Sequence, residues 1–291
     1  MRFCTFYEAR LGRNDGPPLY WTYALRQAGH DVVHLSSEFA PLESEYGKFD
    51  YYLWVDWGED SLVNSLPYQP ISMKDLHPSI YICSDTHIGY EYRMNKAKEF
   101  DHVFCNQIRG VEDFKKEGIN AHFLPHAVEP KAYPNYPSAI KKYDLCFLGF
   151  VTFQKRAEML NEIFKAVPNF WFGQRLFEEA AEIYRKSKIV FNTAADDDIN
   201  MRCFEATATG SFLLTEWVPT LHECFTDGVH LVTYKTIDEA IEKAKYYLEH
   251  EDEREKIAKA GMDHTLNNHT HQHRIKQLME VVCKTEVGRL V

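Results

Sequence analysis

The 291-residue sequence has no apolar run near the roughly 18 residues that a membrane-spanning helix needs, which excludes a helical membrane protein. Its opening, Met1–Glu8, carries no apolar signal-peptide core and reads as a first strand. Cysteine is sparse and unpatterned. The seven are Cys4, Cys83, Cys105, Cys146, Cys203, Cys224 and Cys283, an odd number without a Cys-x-x-Cys pair, so neither a disulfide framework nor a zinc ribbon is expected. Most lie inside apolar runs, as buried small hydrophobes do, and a reduced, cytoplasmic setting fits them. Positive charge is in deficit. Lys and Arg number 33 against 43 Asp and Glu, a net charge of −10, which argues against a nonspecific nucleic-acid coat while leaving a local basic groove open. There is no short-period repeat, no low-complexity tract and no complete G-x-G-x-x-G.

The composition, 45% hydrophobic and 26% charged, is that of a folded chain, and the length suggests about two domains. Short apolar runs bounded by Gly, Asp, Asn or Pro recur: Arg2–Tyr7, Asp31–Leu35, Tyr51–Val55, Ile80–Cys83, His102–Cys105 and Ala121–Leu124. A second set follows: Asp144–Leu148, Asn169–Phe172, Lys188–Asn192, Ser211–Thr215 and His230–Thr233. Such runs suit parallel strands buried on both faces. Helical patterns fill the gaps. Ile237, Ala240, Ile241, Ala244, Tyr247 and Leu248 share one helical face behind a Thr236/Glu239 capping box, and Ile275, Leu278, Met279 and Val282 form a stripe near the end. Alternating strands and helices predict an α/β fold. Three prolines within 129–138 predict the joint between two Rossmann-like halves, residues 1–135 and 136–268, with 269–291 a final helix returning to the first half. Ligands of such folds bind at the C-terminal edges of the strands.

The densest chemistry lies in residues 196–215. A strand delivers Asp196-Asp197-Asp198 to the sheet edge, and a helix then starts near Asn200. The free N–H groups of Asn200, Met201 and Arg202 suit a phosphate, and Glu205 can accept two hydrogen bonds from the vicinal hydroxyls of a ribose. Alternatively, the acidic run caps the helix and Glu205 pairs with Arg202.

Asn200-Met201-Arg202-Cys203-Phe204-Glu205-Ala206, followed by Gly210-Ser211-Phe212-Leu213-Leu214-Thr215, resembles the signature of the CgeB-like (spore-maturation type) glycosyltransferases. These are related to the retaining group 1 enzymes of GT-B fold. The resemblance implies two Rossmann-like domains facing across a cleft. It also implies a UDP-sugar or related donor, and chemistry without a bound metal or other cofactor. In that group a Glu-x7-Glu pair ends on this helix. Glu205 matches the second acid, which holds the ribose, and Asp197 falls where the first acid would stand, as Asp instead of Glu. Leu148-Gly149-Phe150 through Lys155-Arg156 resembles the first strand and loop of the nucleotide domain. The resemblance there implies Gly149, Lys155 and Arg156 beside the diphosphate, with Phe150 where many relatives carry arginine. In the first half the resemblance places an acceptor-side group at Asp85-Thr86-His87. His87 is suited to a hydroxyl proton and Asp85 to orienting it, or Asp85 caps a helix and His87 is a loop residue. Leu124-Pro125-His126-Ala127-Val128 resembles the family's Pro-x-x-Val segment and makes His126 a sugar or phosphate contact. Gly12, Arg13 and Asn14 follow the first strand, where glycine lets backbone approach a ligand and the family's loop meets the donor.

His264, His269, His271 and His273 do not complete a metal pattern and read as a surface helix start. The acceptor is not legible. A small molecule, glycan or protein hydroxyl is expected ahead of a hydroxymethylated DNA base, and a sugar-nucleotide epimerase or a degenerate nucleotide-sugar binder are the rival readings.

Overall fold

The computed structural model describes residues 1–7, 17–36, 39–56, 71–84, 86, 89–135, 140–151, 154–194 and 198–289. The chain divides into two compact units. The first comprises Met1–Pro125 and His271–Val291, the second His126–Thr270.

The first unit is built on a six-stranded parallel sheet. Its strands are β1 (Arg2–Phe6), β2 (Asp31–Leu35), β3 (Tyr51–Val55), β4 (Ser79–Cys83), β5 (His102–Cys105) and β6 (Ala121–Phe123), in the order β2-β1-β3-β4-β5-β6. Alternate residues enter opposite cores. Ile80 and Ile82 of β4 join one apolar cluster, and Tyr81 and Cys83 join the other. Burial on both faces explains why the strands read as unbroken apolar runs. The crossovers include α1 (Pro17–Gln27), α2 (Glu43–Tyr46), α3 (Tyr90–Ala97) and α4 (Ile108–Lys116). At the sheet's C-terminal edge a buried ion pair joins α3 to β3: Arg93 Nε meets Asp56 Oδ2 at 2.8 Å, and the Tyr81 hydroxyl donates to the same oxygen at 2.7 Å.

The second unit carries a five-stranded parallel sheet. Its strands are β7 (Tyr143–Leu148), β8 (Phe170–Gly173), β9 (Ser187–Asn192), β10 (Leu213–Glu216) and β11 (Val232–Tyr234), in the order β11-β10-β9-β7-β8. Helices α5 (Gln154–Ala166), α6 (Phe177–Lys186), α7 (Met201–Ala208), α8 (Ile237–Glu249) and α9 (Glu251–Asn268) cover its faces. The Thr236 hydroxyl accepts from the Glu239 amide at 3.2 Å, the cap that the sequence announces for α8. Strand order reverses between β7 and β9, the topological switch point where α/β sheets open a crevice at their carboxyl ends.

The described part of the proline-rich stretch, residues 129–135, belongs to the second unit. Glu129 and Tyr133 are buried there, and the Val128 amide donates to His269 O at 3.0 Å. The final helix α10 (His271–Arg289) belongs to the first unit, where Ile275, Leu278 and Val282 pack with Phe3, Trp21 and Leu25. Its Arg274 Nε donates to Pro125 O at 2.8 Å. The histidines before and within it are not a surface feature: His269 and His271 are buried, and His271 lies against Tyr20 and Trp21. Among the described residues no helix is long and apolar enough to cross a membrane, and no three His, Cys, Asp or Glu side chains are grouped to hold a metal.

Candidate functional site

The switch point brings the ends of β7 and β9 together, and the polar residues that follow these two apolar strands meet there. Gly149, directly after β7, has φ +146°, a conformation that side chains resist, and its amide donates to Gly173 O at 3.0 Å. A Cβ at this position would stand 2.3 Å from Arg202 Nη2, so glycine is what lets the guanidinium lie against the strand end. Arg202 sits in the first turn of α7 and stacks over the Phe147 ring at 4.8 Å.

Asn192, the last residue of β9, ties this corner together. Its Nδ2 donates to Thr215 Oγ1 at 2.9 Å and to Asn200 Oδ1 at 3.2 Å. Its Oδ1 accepts from Asn200 Nδ2 at 3.2 Å and from Arg202 Nη1 at 2.5 Å. Asn200 is the N-cap of α7 in an extended conformation, and its side chain makes no capping bond, being committed to Asn192 and to Thr193 O. Of the acidic run Asp198 lies among the described residues: its Oδ1 accepts from Ile199 N at 2.8 Å and from Thr220 Oγ1 at 2.9 Å. The positive end of α7 stands at Met201 and Arg202, beside the ends of β7 and β9.

Glu205, one turn further along α7, is half-buried. It does not face open solvent: the hydroxyls of Tyr133 and Tyr184 bond to its carboxylate, and Arg202 lies close enough to act on its charge. Burial pushes its carboxyl above the usual range, against the lowering effects of those three neighbours.

The two basic residues of α5 have other partners. Arg156 is buried, with Nη1 donating to Phe150 O at 2.8 Å and Nε to Thr193 Oγ1 at 2.8 Å. It pins the loop after β7 to the end of β9. Lys155 is exposed and pairs with Glu216 at 2.6 Å, while the other Glu216 oxygen accepts from Ala194 N at 3.1 Å. His126 is half-buried, the first residue of the second unit, two positions before the Val128–Thr270 bridge. Gly12, Arg13, Asn14, Asp85, His87 and Asp197 lie outside the described residues.

Sequence reasoning missed Asn192, Thr193, Glu216, Tyr133 and Tyr184 as site components. For Asn192 and Glu216 a signal existed, since each is a polar residue ending an apolar buried strand at the edge where ligands bind. For the tyrosines none did. They come from separate segments, and aromatic residues are most often simply core.

Residues 155–280 match the family model described as glycosyl transferase-like. A search of curated proteins by sequence finds no match. Among solved structures the chain is similar to Anabaena HepE in complex with UDP and glucose, at 11% identity and TM-score 0.68, covering 97% of this chain and 99% of that one. It is similar to sucrose-phosphate synthase from Thermosynechococcus elongatus, at 9% identity and TM-score 0.66, covering 99% and 100%. It is also similar to an α-glucosyltransferase solved with UDP and a 13-mer DNA containing a HMU base, at 9% identity and TM-score 0.68, covering 97% and 99%. At these identities the likeness is one of fold, and the fold is GT-B, with two Rossmann-like units and a last helix that belongs to the first. A glycosyl transferase-like domain set in that fold is the constitution of a glycosyltransferase enzyme.

Proposed function

We propose that the chain moves a sugar from a nucleoside diphosphate sugar, with UDP-sugar as the donor, to a hydroxyl acceptor, with retention of configuration and without a bound metal. The observation that carries this reading is the corner at the β7–β9 switch point. There one helix start presents an arginine and the positive end of its dipole, and a carboxylate stands one turn away. That spacing suits a diphosphate at Arg202 and a ribose at Glu205. The UDP and UDP-glucose of the structural neighbours support the donor class. The signature in 200–215 supports the finer kinship with the CgeB-like enzymes. As the glycosidic bond breaks, negative charge grows on the leaving diphosphate, and preorganised donors stabilise that charge without a metal. In a front-face reaction the departing phosphate itself accepts the acceptor's proton. Asp85 and His87 are assigned to the acceptor hydroxyl, and Asp197 to the donor sugar.

A thermal-shift screen of UDP-, GDP-, ADP- and TDP-sugars tests the reading, since a ligand that binds only the native state raises the melting point. UDP-sugar should raise it, and slow donor hydrolysis should persist in EDTA. No shift with any donor would overturn the nucleotide-sugar assignment, and EDTA inactivation reversed by Mg2+ or Mn2+ would overturn its metal independence.

A further inference from the structure

We infer that Asn192 positions Arg202 as the fixed cation for the donor's diphosphate, and that a neutral amide stands at residue 192 because it orients the guanidinium without cancelling its charge. The inference rests on the proposed nucleotide-sugar site and names the groups that discriminate diphosphate from the rest of the ligand.

Among the described residues, three cations border the ends of β7 and β9, and two are committed to the protein. Arg156 is buried between Phe150 O and Thr193, and Lys155 faces Glu216. Arg202 differs. Among the described residues no ion pair engages it, its plane rests on Phe147 at 4.8 Å, and Nη1 is held at 2.5 Å by Asn192 Oδ1. Gly149 leaves room for the Nη2 side. The guanidinium is held by the Phe147 ring, the Gly149 backbone and the Asn192 amide, with the Tyr184 hydroxyl bonded to it and the Glu205 carboxylate close enough to act on it. The N–H groups not taken by Asn192 and Tyr184 can meet a phosphate, which a guanidinium binds in a fork.

Asn192 is suited to this task because its own amide cannot turn. Nδ2 is occupied by Thr215 Oγ1 and Asn200 Oδ1, so Oδ1 is the atom that faces Arg202. An aspartate has nearly the same shape and would hold the arginine more tightly. It would also neutralise the arginine and set a negative charge beside the diphosphate. Asparagine gives up bond strength and keeps the field. A bulkier residue than glycine at 149 would act on the same arginine from the opposite side, by displacing it.

The test is calorimetric titration of wild type, Asn192→Asp, Arg202→Gln and Gly149→Ala with UDP, UMP and uridine. Circular dichroism and melting point verify that each variant is folded. Wild type should prefer UDP over UMP and uridine. Asn192→Asp and Arg202→Gln should each lose about 10-fold to 100-fold in UDP affinity, the worth of a charge-assisted hydrogen bond. Their uridine affinity should stay within about twofold of wild type, so the preference for UDP collapses. If Asn192→Asp fails to fold, Arg202→Gln and Gly149→Ala carry the same contrast. If wild type binds UDP but the folded variants keep its UDP preference, or lose UDP and uridine affinity equally, this inference falls and the donor assignment stands. A wild type that binds none of the three overturns the donor assignment and the inference with it.

Discussion

Glu205 carries opposed demands. A carboxylate at the end of a nucleotide site is useful because it is charged, yet here it is half-buried, and burial raises its proton affinity. A folded carboxyl above its unfolded value binds protons more firmly in the native state, so its ionisation costs stability as pH rises through and beyond the ordinary glutamate value of 4.5. Glu205→Gln removes that cost and keeps an acceptor for one tyrosine. The melting point of Glu205→Gln relative to wild type should therefore climb between pH 4.5 and neutrality, while nucleotide affinity falls about tenfold or more. A relative melting point that is flat with pH would show that Glu205 does not titrate in that window. Glu205→Ala is a harsher change than an open-cleft position would suggest. It removes the carboxylate to which the Tyr133 and Tyr184 hydroxyls bond, at about 1–3 kcal/mol for a lost buried hydrogen-bond partner, while Tyr184 keeps its bond to Arg202.

At the scale of the element, the start of α5 separates two basic residues that adjoin in sequence. Arg156 fastens the loop after β7 to Thr193, so Arg156→Ala should lower stability by about 1.5–3 kcal/mol, the range for hydrogen bonds made by a charged group. The melting point should fall even without nucleotide. Lys155 is 74% exposed in its pair with Glu216, so Lys155→Ala should change stability by less than about 1 kcal/mol. Urea denaturation of both variants reads the contrast. Equal and small effects would mean that the β7 loop does not depend on Arg156. The histidines at the C-terminal end of α9 show the same dependence on context. His264 Nε2 lies 2.7 Å from Cys224 O and 3.1 Å from His269 Nε2, and its ring stacks on His230 at 3.9 Å. Spacing in sequence suggested an exposed helix start, but the packing of Phe225 against these rings buries part of the cluster.

At the scale of the whole molecule, the chain leaves the first unit at Pro125 and re-enters it at His271. The returning helix is part of that unit's core, with Ile275, Leu278 and Val282 at 3%, 1% and 0% exposure. Burying each such side chain contributes about 1.5–3 kcal/mol, so their joint loss rivals the stability of a whole domain, about 5–15 kcal/mol. A chain ending at Thr270 should therefore melt in the calorimeter with the enthalpy of the second unit alone. Retention of the full enthalpy would show that α10 is dispensable. Net charge also acts at this scale. At −10 the molecule repels a polyanion, and duplex DNA containing a hydroxymethylated base should not bind at about 50 mM salt. Binding there that is lost steeply by about 200 mM would instead favour DNA as the acceptor; one of the structural neighbours was solved with a 13-mer DNA containing a HMU base.

The sequence by itself determined the strands, because parallel strands buried on both faces must be short and apolar throughout, and that pattern is local. All eleven can be placed to within a residue or two at each end from such runs, and the cap of α8 from two residues. It also determined which helix carries the signature of 200–215. The tertiary structure decided which polar groups are committed and to what. Lys155 and Arg156 look alike in sequence, yet one pairs at the surface and the other is buried in the β7 loop. Asn192 looks like the end of a strand until Thr215, Asn200 and Arg202 close around it. Glu205 looks solvent-facing until Tyr133 and Tyr184 arrive from separate segments. Hydrogen bonds form between groups that the fold brings within about 3 Å, whatever their separation in sequence. A chain can announce its strands one at a time, but a site made at the junction of several strand ends exists only once those strands are side by side.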